Sequence, residues 1–208
     1  MDALFAYDVV GEFYIDNSSA PMTQTSGTVQ TANGSSYDLS NQAARIALQN
    51  DNMVFYANKM VDTIHSLNPG ALTVMGFFTY NGTNPPPFPA IATANIDFID
   101  LHGSPDTSGA TIQQLVSTWQ VSGYNAKPLI LGEYDGFTDV FPTTALAAAG
   151  LKAWQIASCS VGFSGWILWS WDTEPNELPG LNIWSALSGN GEINQSLAPL
   201  NRLNPCSN

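Results

Sequence analysis

Positive charge is scarce in this sequence: 5 Lys and Arg stand against 17 Asp and Glu in 208 residues, a formal net charge of −12 with histidine neutral. Nucleic acids and anionic membrane surfaces are bound through clustered cations that release counterions, and this chain has too few to build such a cluster. Residues of either charge make up only 11% of the chain, so its polarity rests on Asn, Ser, Thr and Gln. Such a surface suits a neutral or cationic ligand held by hydrogen bonds and aromatic faces. No apolar run approaches the roughly 20 residues of a membrane span. No basic segment precedes an apolar stretch at the N-terminus, so no signal peptide is expected within the chain. A G-x-G-x-x-G turn, a Walker loop, a G-x-S-x-G elbow and paired-histidine motifs are all missing, so neither a cofactor nor a metal is expected.

Cysteine is nearly absent too. Cys159 and Cys206 are either one disulfide tying the C-terminal tail to the body or two buried thiols. The shortage of Lys beside so much Asn and Ser favours the disulfide, and with it an extracytoplasmic, secreted parent protein.

What the chain does have is 44% apolar and 11% aromatic residues, enough for one domain spanning 1–208. Short apolar runs alternate with helical patterns. Strands are expected at Ala3 to Val10, Ala71 to Phe78, Ile96 to Leu101, Pro128 to Leu131 and Phe163 to Trp171. Helices are expected at Ser40 to Leu67, around Ile112 to Trp119, and at Thr144 to Ser158. Asp16 to Ser36 is a polar stretch too long for an ordinary connection, expected as a functional or mobile loop. A proline-rich loop follows at Asn84 to Pro89. The order implies an α/β fold with about five parallel strands and right-handed helical crossovers.

Ligands of such sheets bind at the carboxyl ends of the strands. The reactive side chains collect there. Strand alternation puts Asp8, Val10 and Glu12 on one face, and Leu129, Leu131 and Glu133 on one face of the fourth strand. A pair of carboxyl groups across a cleft is what acetal hydrolysis requires, one to protonate the leaving oxygen and one to act as nucleophile or base. His102 shares its strand face with Asp100 and is read as a hydrogen-bond donor to substrate or to a neighbouring site residue. Trp169 and Trp171 are either core or a platform for the apolar face of a sugar.

These motifs resemble, in order, the strand ends of the cellulase-like glycoside hydrolases of family 5, retaining (β/α)8-barrel enzymes. Leu4 to Glu12 resembles their fourth strand, which carries the acid/base. Ile96 to His102 resembles the sixth, whose histidine lines the substrate site. Leu129 to Tyr134 resembles the seventh, with the nucleophile, and Gly165 to Trp171 the eighth, with a tryptophan platform best matched by Trp169. The resemblance implies a partial, half-like TIM barrel: the C-terminal part of a catalytic domain, strands four to eight, where a whole barrel takes about 250 residues and eight strands. Starting in a strand at Met1 fits a partial reading frame. Glu12 is then the acid/base, Glu133 the nucleophile, and His102, Trp169, Trp171 and Tyr134 bind a β-linked polysaccharide, as in an endo-β-glucanase.

Gly11 stands where the family has asparagine, Phe13 where it has proline, and Ser104 where it has a tyrosine near the nucleophile. These departures favour the alternative, a non-catalytic carbohydrate-binding or structural half-barrel remnant. Five parallel strands leave two open edges, so self-association is expected.

Overall fold

In the computed structural model, which describes residues 4–13, 15–16, 18–78, 88–172, 182–200 and 204–206, the expected α/β architecture is present. Five strands form one parallel sheet with helices between them. The chain divides into two compact units, Met1–Ile99 and Asp100–Asn208.

In the first unit, β1 (Ala6–Asp8) pairs in parallel with β4 (Leu72–Phe78), Asp8 opposite Val74. The expected strand to Val10 stops early because the Asp8 side chain accepts the Val10 N–H at 3.1 Å and turns the chain. The ladder then slips. A regular parallel register would have Val9 accept from Gly76 and residue 11 donate back to it. Instead Val10 accepts the Gly76 N–H at 2.9 Å, and Phe13 donates to the Gly76 carbonyl at 2.9 Å. Two extra residues have therefore entered by Phe13. The Val9 carbonyl released by this slip accepts the Tyr56 hydroxyl at 3.3 Å.

The polar stretch expected as a loop contains a hairpin, β2 (Thr28–Gln30) and β3 (Ser36–Asp38). Tyr37, Leu39 and Leu48 form a small core of their own beneath it, with Met22, Val29 and Ala47 packed on. Asn33 donates to the Tyr37 hydroxyl at 2.8 Å, which donates to Asp51 at 3.0 Å. Helix α1 (Gln42–Leu67) is continuous: Asn41 caps it through the N–H groups of Ala43 and Ala44, and Met53, Ala57 and Val61 bury its apolar stripe. Short α2 (Phe88–Ile91) follows; the proline-rich segment at 84–87 lies outside the described residues.

Strand β5 (Phe98–His102) begins in the first unit and ends in the second, and all five of its residues are buried. In the second unit, α3 (Ile112–Thr118) starts at a capping box between Thr111 and Gln114. Strand β6 (Leu129–Tyr134) pairs in parallel with β8 (Phe163–Leu168), and α4 (Thr144–Cys159), alanine-rich as expected, lies between them in sequence. A small antiparallel pair, β7 (Gly136–Phe137) with β9 (Ile183–Trp184), and a kinked α5 (Ser188–Leu197) complete the unit. The sheet order is β1-β4-β5-β6-β8, which puts β1 and β8 at its edges among the described residues. Cys159 and Cys206 are joined as a disulfide, as expected. Among the described residues no helix is long and apolar enough to cross a membrane.

Candidate functional site

Both glutamates singled out by the sequence sit where a ladder is irregular, and strand alternation is not what places them. Glu12 lies in the first unit, in the slipped stretch between Val10 and Phe13, and is exposed. Glu133 lies in the second unit, where Leu131 faces Trp166 but Tyr134 faces Leu168, three steps on β6 against two on β8. One extra residue has entered at Gly132-Glu133. Bulges of this kind re-aim a side chain at the rim of a sheet. In both cases the glutamate follows a glycine, a signal in the sequence that a strict period of two overlooks.

Around Glu133 the second unit builds a charged core. Gly103, just after β5, donates its N–H to the Glu133 carbonyl at 3.0 Å, holding the ends of β5 and β6 in step. His102 is buried and faces two carboxylates. Its Nδ1 lies 3.4 Å from Glu133 Oε2, and its Nε2 lies 3.4 Å from Asp100 Oδ2. A neutral imidazole carries one N–H and an imidazolium two, so the ring donates to both carboxylates only when doubly protonated. The Glu133 side chain is 29% exposed, that of His102 only 4%, so the carboxylate opens to solvent with the imidazole behind it.

Asp100 was not among the expected site residues. Its Oδ1 is buried with no hydrogen-bond partner among the described residues. Its carboxylate packs flat on Gly132, where any β-carbon would collide with both of its oxygens. The hint in the sequence was the Asp100-x-His102 spacing on one strand.

One residue pair binds the segments that leave β5 and β6. The Ser104 hydroxyl donates to Asp135 Oδ2 at 2.8 Å, and the Asp135 N–H donates to Ser104 Oγ at 2.7 Å. Ser104 thus has a defined task of its own.

Tyr134, expected to bind substrate, is 1% exposed, and its carbonyl accepts the Trp169 N–H at 3.1 Å. The described structure gives that side chain a place in the core. Trp169 and Trp171 were expected on β8, but that strand ends at Leu168 and both follow it. They are held instead by their neighbours: Ala186 donates to the Ser170 carbonyl at 2.9 Å and Leu187 to the Trp171 carbonyl at 3.3 Å. The two residues are 40% and 63% exposed, more than core tryptophans such as Trp119, which is fully buried. Trp166, on the strand itself, is fixed by an indole N–H donated to Ser158 at 2.7 Å.

No protein-family model and no curated protein matches this chain. Solved structures to which it is similar include an endo-1,4-beta-D-mannanase from Thermotoga petrophila RKU-1, solved with maltose and glycerol, at a TM-score of 0.47 and 18% identity over 71% of this chain. They also include beta-glucuronidase 2 of Bacteroides uniformis, covalently bound to cyclophellitol-6-carboxylate aziridine, at 0.45 and 13% over 63% of this chain. A further beta-glucuronidase structure from that organism gives 0.44 and 12%. The chain spans 51% of the mannanase and 17% of each glucuronidase.

Proposed function

We propose that this chain is a glycoside hydrolase of the cellulase-like kind, the C-terminal part of a catalytic domain, cleaving O-glycosidic bonds of a β-linked polysaccharide with retention of configuration. The observation that carries the reading is Glu133: a carboxylate aimed by a bulge at the carboxyl end of a parallel strand, open to solvent on one side and backed by a buried histidine on the other. In the first step Glu133 attacks the anomeric carbon while Glu12 gives its proton to the departing glycosidic oxygen, leaving a glycosyl ester on Glu133. In the second, the Glu12 carboxylate takes a proton from water, whose oxygen attacks the anomeric carbon and releases Glu133. Trp169 and Trp171 offer exposed faces on which the apolar side of a sugar stacks. The disulfide supports work in an oxidising, extracytoplasmic setting.

The test is hydrolysis of soluble β-glucans and β-mannans by the purified chain. Glu133→Gln is expected to abolish activity, and Glu12→Gln to lower it about 10²–10⁴-fold. Full activity in Glu133→Gln overturns the assignment. The exposed tryptophans also favour a second reading, carbohydrate binding without turnover. Quenching of tryptophan fluorescence by oligosaccharide with no product released selects it.

A further inference from the structure

We propose that Asp100 is a positioning residue for the chemistry at Glu133, acting through His102; the proposal rests on the reading of Glu133 as nucleophile. Folding alone does not call for a carboxylate at this position. Strand β5 is buried along its whole length, and an apolar residue at 100 would pack there without desolvating a carboxylate. Asp100 stands there nonetheless, with Oδ1 lacking a hydrogen-bond partner among the described residues. Room for it is made by Gly132, whose missing β-carbon is where the carboxylate lies. Two positions on adjacent strands thus give up packing for one contact, Asp100 Oδ2 with His102 Nε2 at 3.4 Å.

That contact decides what His102 presents to Glu133. With Nε2–H donated to Asp100, the ring plane and its tautomer are set, and Nδ1 is left facing Glu133 Oε2 at 3.4 Å. With a proton on Nδ1 as well, the imidazolium donates to the Glu133 carboxylate, which stays ionised as a nucleophile requires. Glu133 is thereby kept in one rotamer by a charge-assisted partner that is itself immobile. Without Asp100, the Nε2–H loses this acceptor, the preference for that tautomer weakens, and the anchor behind Glu133 loosens.

The sequence has only two histidines, His65 and His102, which makes the imidazole signals directly readable by ¹⁵N-¹H NMR on the full chain. His65, whose Nε2 contacts the Ala71 carbonyl at 3.0 Å, is the internal control. At neutral pH the wild-type His102 signal is expected to report a protonated Nε2. Asp100→Ala is expected to remove that preference while leaving His65 and the circular dichroism spectrum unchanged, and Asp100→Asn, whose amide oxygen still accepts, is expected to restore it. Against the polysaccharide cleaved by the wild type, Asp100→Ala should lower kcat about tenfold or more with little change in KM, with partial recovery in Asp100→Asn. An Nε2 state indifferent to Asp100→Ala overturns the proposal whether or not the chain hydrolyses anything. Absence of wild-type hydrolysis refutes the functional reading instead, and the NMR comparison still decides whether Asp100 sets His102.

Discussion

Replacing Gly132 by alanine puts a methyl group into the space held by the Asp100 carboxylate, and the cost should depend on whether that carboxylate is there. Gly132 is not among the glycines with positive φ, so alanine meets no backbone penalty. The β-carbon would meet Oδ1, Oδ2 and Cγ of Asp100. Asp100 is 7% exposed and has little free space to retreat into. Overpacking of this kind costs about 1–3 kcal/mol, and we take about 2. In an Asp100→Ala background the collision partner is gone, and alanine in place of glycine should instead gain about 0.4–1 kcal/mol by restricting the unfolded chain. The coupling between the two positions is therefore about 2–3 kcal/mol. Urea unfolding of the four proteins of the cycle measures it: with a slope of about 2 kcal/mol/M, Gly132→Ala should lower the midpoint by about 1 M in the wild-type background and leave it level or raised in the other. A Gly132→Ala cost that is the same in both backgrounds to within about 0.5 kcal/mol refutes the claim that the carboxylate occupies that space.

The Cys159–Cys206 bridge spans a sequence separation of 47. The chain-entropy relation for a loop of that size gives about 4 kcal/mol of stabilisation, so reduction should lower the urea midpoint by about 2 M, and an unchanged midpoint refutes it. Asp38 is held below the usual carboxylate range, chiefly by the Ser40 hydroxyl and then by the Ser40 N–H. Its folded value thus lies under its unfolded one, so the stabilisation is complete above the unfolded value of about 3.8 and is lost as pH falls through the folded one. Ser40→Ala should raise the Asp38 titration midpoint seen by carboxyl-carbon NMR; no movement refutes the cause. Exposed Tyr7 on edge strand β1, with exposed Leu4 and Phe5 just before it, should draw copies together at micromolar concentration, and a clean monomer by light scattering counts against it.

Much of this architecture was legible because burial and period agree. Strands β4 and β6 and helix α4 fall within a few residues of their expected bounds, since each is a continuous apolar or alanine-rich run between strong stop signals. His102 could be picked out because it ends a strand in a chain with little charge. The hairpin at 28–38 escaped notice because its core draws on isolated residues, Val29, Tyr37 and Leu39, set among Ser, Thr, Asn and Gly. Unbroken alternation does not set the aim of Glu12 and Glu133: each depends on extra residues in a ladder, which only the partner strand reveals. The match between Asp100 and Gly132 was invisible for a related reason, that a missing β-carbon has meaning only beside the group that fills its place. Trp169 and Trp171 were assigned to a strand that stops short of them.

The hairpin of β2 and β3 has one more consequence, for how this fold tolerates change. Its apolar residues close on the first turns of α1, and its polar anchor runs from Asn33 through Tyr37 to Asp51, so both its small core and this hydrogen-bond chain are shared with α1. Lengthening its tip between Gln30 and Ser36 costs loop closure, about 0.6 kcal/mol for each doubling, together with the Asn33 contact wherever the insertion displaces it. The hairpin is therefore a place where new sequence can be tried out while β6, which carries Glu133, keeps its register.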